Sequence, residues 1–210
     1  MLSILKKNQD DWAIVACYAV LVLAAFIKPV HFEPIEFGPI VQILHPEYPK
    51  GELTYSPNYN YNFIVAMLIR FFGLGDDWGN FARWFWLAEM AVTISMLLRI
   101  SGFVFRQDRL VSVIFVMSYI FYRSGELDPK TLALPFYFGA LYCIVRGRWV
   151  WAGVCAGLIF YLHIGMAVWL LIPSLIGLAI FGKEVNGVPF KSVAVYALSA
   201  GLVALPVIYF

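Results

Sequence analysis

Of the 210 residues, 62% are apolar and only 13% are charged, where a soluble domain is about a quarter charged. So little charge excludes a water-soluble globule and makes the bilayer the solvent. A net charge of +2 excludes the basic footprint of a nucleic-acid-binding domain, so no nucleic-acid partner is expected.

The N-terminus carries Lys6 and Lys7 ahead of a long apolar run that ends at Lys28-Pro29-Val30-His31. A cleaved signal peptide has a shorter core and a small-residue cleavage site. The run therefore reads as a retained first span, about 12–30. Further apolar runs predict spans at about 80–99, 109–123, 131–146, 149–165, 166–182 and 190–210. Several fall short of the roughly 20 residues that cross a bilayer comfortably, a deficit that snorkelling Arg and Trp or a thinner local bilayer makes up.

Tyr59–Phe72 is the ambiguous stretch. Its apolar core, Phe63–Phe72, is broken by Arg70, and ten helical residues cover only about 15 Å. That length suits an interfacial helix. Charge supports the same choice. With this stretch on the surface, Lys6, Lys7, Arg99, Arg106, Arg109, Arg146, Arg148, Lys183 and Lys191 all face the cytoplasm. Glu33, Glu36, Glu47, Glu52, Asp76, Asp77, Glu126 and Asp128 then face outward. This is the positive-inside pattern; a crossing at 59–72 would invert it in every later loop.

The expected fold class is therefore all-α: a polytopic bundle of about seven spans, N-terminus cytoplasmic, with one long outer loop, about 31–79. In that loop Phe37, Ile40, Val41 and Leu44 form one apolar helix face, and Pro39 limits where the helix can start. Pro46, Pro49, Gly51, Pro57 and Asn58 mark turns. Two short surface helices joined by a Pro/Tyr-rich linker are expected. The second outer loop, about 123–130, reads RSGELDPK. Cys17, Cys143 and Cys155 all lie in apolar runs and read as small buried hydrophobes, with no disulfide framework or metal-ligand spacing.

Few residues remain that could carry chemistry. Glu33 and Glu36 lie just past the outer end of the first span. They read either as solvated loop acids or as carboxylates at the membrane rim, able to act as a general base or to hold a metal against a lipid phosphate. Pro34 argues against one helix carrying both. Glu126 and Asp128 are either a second acidic wall or a charged turn, with Pro129 opening the next helix. Arg123 and Lys130 neutralise them or bind phosphate directly. His163, in FYLHIGM near the outer end of the fifth span, is a candidate for phosphate binding, proton relay or axial ligation of haem or a pigment, or it is satisfied by a neighbouring helix. Glu89 sits mid-span, with no basic residue three or four positions away. Burying it ionised would cost several kcal/mol, so a neutral or paired state is expected. Arg83, on the same span near the rim, is better placed to meet a phosphate. Tyr55, Tyr59, Tyr61, Trp78, Trp84 and Trp86 read as an aromatic interface belt.

The ordered set Asp128-Pro129, Arg146-Gly147-Arg148, Ala152-Gly153, Gly157-Leu158 and His163, behind an acidic first outer loop and FFGLGDDWGNFAR, resembles the N-terminal half of a GT-C superfamily membrane glycosyltransferase. The resemblance covers about residues 12–182. It implies a single transmembrane module over 1–210 that is either incomplete at its C-terminus or a reduced module, since Phe210 lies inside an apolar run and typical members continue through further spans. It implies a bacterial inner-membrane enzyme that takes sugar from a polyprenyl-phosphate donor. Glu33 or Glu36 would match the family's first-loop carboxylate, although many members carry Asp there, paired with a second acid. Arg83, Arg123 or Lys130 would hold the donor phosphate. A divalent metal ion is an optional cofactor of that reading. The alternative is a non-catalytic subunit of a larger membrane complex, with other membrane subunits as partners. A transporter-like or pigment-binding subunit that uses Glu89 or His163 stands behind both.

Overall fold

The computed structural model describes residues 2–27, 31–32, 34–45, 59–73, 78–104, 113–114, 116–120, 126–127 and 129–209. Side chains are described within these ranges except at 2–14, 31–32, 34–38, 59–61, 78–79, 101–104, 126–127, 183–186 and 208–209. The described elements are helices and one very short strand pair. In chain order they are α1 (Leu2–Ile27), β1 (His31–Phe32), α2 (Pro34–Leu44), α3 (Tyr59–Phe71), α4 (Trp78–Val104), β2 (Glu126–Leu127), α5 (Pro129–Val145), α6 (Trp149–Leu162), α7 (Ile164–Asn186) and α8 (Phe190–Tyr209). Residues 113–114 and 116–120 are also helical. The expected all-α class holds.

Among the described residues, three helices are long and apolar enough to cross a membrane: Asn80–Ile100, Ile164–Gly182 and Phe190–Val207. Val15–Ile27, Asn62–Phe71, Pro129–Val145 and Trp149–Leu162 are shorter apolar helices. Several boundaries differ from expectation. α1 begins at Leu2, so Lys6 and Lys7 lie inside the helix and do not precede it. α2 begins at Pro34 and carries Pro39 internally. Proline has no N–H to contribute in a first turn, so Pro34 is a compatible opening residue. The fifth predicted span ends at Leu162, because His163 adopts an extended conformation (φ −158°, ψ 98°).

The chain divides into two compact units. The first contains Met1–Pro34 and Ile69–Leu127, and the second contains Ile35–Leu68 and Asp128–Phe210. In the first, α1 and α4 pack antiparallel. Arg83 lies over the Phe26 ring, 5.5 Å from its centroid, and eight residues back along α1 the Tyr18 hydroxyl meets Ala91 O at 3.2 Å and the Ser95 hydroxyl. Cys17, Leu21, Ala24 and Ala25 are buried on α1. Trp86, Met90, Thr93, Ile94 and Leu97 are buried on α4. Their spacing of i, i+4, i+7, i+8 and i+11 is one continuous helix face.

In the second unit α5, α6, α7 and α8 share a core of Ala133, Ala140, Ala152, Ala156, Ile159, Leu162, Ala167, Leu170, Tyr196 and Ala200. Most of these are alanines, which lets helix backbones approach closely. The approach is tightest between α6 and α8, which run parallel. A Cβ on Gly153 would lie 2.5 Å from both Ser199 Cβ and Tyr196 O, and one on Gly157 would lie 2.6 Å from Val203 Cβ. Tyr161 donates to Val203 O at 3.0 Å along the same seam. α7 joins through the Ser174 and Tyr196 hydroxyls, 2.9 Å apart. The opposite face of α7 is uncovered. Ile164, Val168, Ile172, Ile176 and Ile180 recur every fourth residue, and all are exposed. Such a stripe belongs against lipid or another apolar surface.

The α5–α6 turn is built by backbone alone. Gly147 has φ +68°, its N–H reaches Ile144 O at 3.0 Å, and Arg148 N–H reaches Cys143 O at 2.8 Å. This is a Schellman closure with glycine in the left-handed position it requires. The glycine seam yields a direct test. Gly153→Ala should destabilise the protein by about 1–3 kcal/mol through overpacking. Gly201→Ala should be neutral or slightly stabilising, because a Cβ there meets nothing within 4 Å. Equilibrium unfolding of both variants in mixed micelles reads the difference.

Candidate functional site

The first unit gathers candidate groups at one end. α1 delivers the chain to that end at Ile27, and β1 follows at His31–Phe32. β1 pairs in parallel with β2, in the register His31 with Glu126 and Phe32 with Leu127. α4 contacts β1, and its early turns carry Arg83. Each strand is only two residues long, which is too short to be independently stable. The pair forms because backbone groups leaving a helix end need partners.

The pairing joins the two acidic outer loops of the sequence reading. Phe32 is followed at once by Glu33, and Leu127 by Asp128. Glu33, Arg123 and Asp128 themselves lie outside the described residues. Glu36 is the third residue of α2, and Glu126 lies in β2; their backbones are described and their side chains are not.

Arg83 is partly buried on α4. Its guanidinium is steered by the Phe26 face, a cation–π contact worth about 0.5–2 kcal/mol depending on desolvation. Its Nε is buried and has no hydrogen-bond partner among the described residues. A guanidinium donates only, so an anion is the natural complement of that nitrogen. Trp84, one residue on, is exposed and suits the interface belt. Trp86 does not: it is 0% exposed, and its side chain packs inside the first unit. The signal that separates them was available in the sequence, because Trp86 falls on the Met90–Ile94–Leu97 face and Trp84 does not.

Glu89 is 6% exposed, which bears out its reading as a buried mid-span acid. It lies six residues beyond Arg83, about 9 Å along the axis. One turn farther, Thr93 donates its hydroxyl to Glu89 O at 3.0 Å. That bond returns the threonine hydroxyl to its own helix backbone, the usual solution in an apolar setting.

Lys130 belongs to the second unit, exposed on the first turn of α5 directly after Pro129. His163 belongs there too and is a joint, not an interior helical residue. Its N–H donates to Ile159 O at 2.7 Å and closes α6. Its Nδ1 accepts from Met166 N–H at 3.1 Å, capping α7. A neutral ring that accepts at Nδ1 carries its proton on Nε2. In that state Nε2 can donate to an anion but offers no lone pair to a metal or haem iron. Sequence reasoning missed the cap because apolar residues continue on both sides, although Gly165 two positions on was a cue to a break.

The three cysteines are free thiols, and among the described residues no three His, Cys, Asp or Glu side chains come together as a metal cluster. Comparison of the chain with protein families, curated proteins and solved structures finds no match.

The capping geometry is testable. His163→Ala should cost about 0.5–2 kcal/mol of local stability, and His163→Asn, which keeps an acceptor, should recover most of it. Amide hydrogen exchange at Met166 should speed up in the alanine variant and stay close to the parent rate in the asparagine variant.

Proposed function

We propose that the chain is a GT-C-like membrane glycosyltransferase module that moves a sugar from a polyprenyl-phosphate donor on the outer face of a bacterial inner membrane. One observation supports this above the others. The parallel β1–β2 pair fastens the segment leading into Glu33 to the segment leading into Asp128, beside the end of α4 that carries Arg83. Acidic segments and a guanidinium that are far apart in sequence thus converge at one helix end. Sugar transfer from a lipid phosphate needs both: a base for the acceptor and a cation for the leaving phosphate.

In this reading Glu33 or Glu36 removes the acceptor hydroxyl proton. The acceptor oxygen attacks the anomeric carbon, and the bond from that carbon to the phosphate oxygen breaks. The electron pair leaves with the polyprenyl phosphate. Arg83, Arg123 or Lys130 neutralises the growing charge on that phosphate, and Glu126 and Asp128 are a second acidic wall. The stabilisation is electrostatic and depends on donors already in place. About seven spans, a cytoplasmic N-terminus and an outer 31–79 loop complete the proposal.

A second reading, a non-catalytic subunit of a larger membrane assembly, is favoured by α7. Only 11% of its apolar window is buried within the chain, which leaves a full helix face open to a partner helix.

The catalytic reading is tested in proteoliposomes with a polyprenyl-phosphate sugar and a range of acceptors. Transfer should be measurable, and Glu33→Gln with Glu36→Gln should lower it by about 10²–10⁴ while insertion is unchanged. Full activity in the double variant rules out these acids as the base. No transfer by the parent, together with stoichiometric copurification of other membrane proteins, selects the second reading. The topology has its own test. In a cysteine-free background, cysteines at positions 58 and 76 should both react with an impermeant reagent from outside. Labelling of position 76 from the cytoplasm alone would overturn the outer placement of 59–72.

A further inference from the structure

The second unit brings together a group of cations that the proposed transfer chemistry does not use. Arg146 and Arg148 are exposed in the α5–α6 turn, and Lys191 is exposed on the first turn of α8. Lys191 is more than 40 positions from either arginine in sequence. The parallel packing of α6 on α8 fixes their relative height. Gly153 sits against Tyr196, Ser199 and Ala200, so its level on α8 is near residue 198. At a rise of about 1.5 Å per residue, Lys191 then lies about 10 Å below Gly153, at the level of the 146–148 turn. The α7–α8 turn reaches the same end, where Val188 N–H closes on Gly182 O at 2.9 Å.

That level coincides with the edge of the apolar zone. The apolar window of α7 ends at Gly182 and that of α8 begins at Phe190. Trp151 and Phe190, at the same end, are exposed at 62% and 77%. Exposed aromatics at the end of apolar spans mark head-group depth. Arg146 is held over the Tyr142 ring, 5.6 Å from its centroid, which orders its guanidinium near the turn. Gly147, in its left-handed conformation, keeps the turn short, with Arg146 and Arg148 on either side of it. The segments at this end, 143–151 and 183–191, contain Arg146, Arg148, Lys183 and Lys191 against the single acid Glu184.

We propose that this end of the second unit binds the phosphate head group of an anionic phospholipid. Arg146, Arg148 and Lys191 provide the charge, and Trp151 and Phe190 pack against the adjoining glycerol and upper acyl region. The occupant is a bilayer lipid and not a soluble anion, because the cations lie at the ends of apolar helices flanked by exposed aromatics. A basic residue at such a surface contributes about fivefold to the affinity for an anionic lipid.

The test uses the full chain purified in neutral detergent, with phosphatidylglycerol or phosphatidylcholine added in mixed micelles. Native mass spectrometry counts the retained lipid. The parent should retain phosphatidylglycerol at least about tenfold in preference to phosphatidylcholine. The triple variant Arg146→Gln, Arg148→Gln, Lys191→Gln should lose at least about tenfold of that preference. The charge-keeping triple Arg146→Lys, Arg148→Lys, Lys191→Arg should keep most of it. Millimolar inorganic phosphate should not displace the lipid. Equal retention of both lipids by the parent overturns the proposal without reference to any variant. So does an unchanged preference in the glutamine triple, an equal loss in the charge-keeping triple, or displacement by free phosphate, which would mean an ion site and no lipid site. None of these readouts depends on sugar transfer.

Discussion

Every backbone N–H and C=O in an apolar interior needs a partner, and this requirement shapes each point where a helix of this chain stops. Inside a helix the requirement is met locally. At a break it must be met by something specific. After α5 it is met by a glycine turn whose N–H groups fold back onto Cys143 and Ile144. Between α6 and α7 it is met by His163, whose N–H closes one helix while its ring nitrogen opens the next. After α1, residues 31–32 pair with 126–127. Three breaks thus have three different solutions. Only the last joins distant parts of the sequence, and it is the one on which the functional proposal rests.

The same economy governs the polar side chains. Thr93, Ser95 and Ser199 return their hydroxyls to carbonyls four residues back on their own helices. These bonds cost no partner from another element. The bonds between helices are more informative: Tyr18 to α4, Tyr161 to α8, and Ser174 with Tyr196. Each is a tyrosine hydroxyl reaching across a helix contact, which suits a side chain with an apolar body and one polar tip. Such bonds average about 0.6 kcal/mol in membrane proteins, so they set alignment more than stability. Close packing at Gly153 and Gly157 gives the α6–α8 contact its strength.

Much of this was legible in the sequence. Apolar length and charge alternation locate the helices, because both follow directly from what a bilayer tolerates. Pro129 as an opening residue and the Gly147 turn follow from local stereochemistry. Gly153 and Gly157 were readable as a small-residue step, though their partner on α8 was not. Two features stayed largely hidden for physical reasons, and a third needed helical phase. The β1–β2 pair is too short to leave a period-two pattern, and its register depends on chain paths far apart in sequence. His163 lies in an apolar run that continues on both sides, with Gly165 as a weak cue to the break. By composition alone Trp86 reads as an interface residue, like Trp84. Its phase with Met90, Ile94 and Leu97 places it in the core.

Arg83 shows how the two levels meet. Its charge is tolerable on a long apolar helix only near the end, where the side chain can reach a polar region. Packing against Phe26 limits its freedom, so its guanidinium is held in place before any anion arrives. A cation ordered in advance loses less entropy on binding than one on a free side chain. Glu89, six residues deeper on the same helix, has no such exit, and its burial demands a neutral or compensated state. The two ionisable groups of α4 are therefore not equivalent. The proposed anion binder is the one near the end of α4 that meets β1, and the deeper acid is buried. In the proposed reading that order along a single helix puts the chemistry at the β1–β2 end of α4.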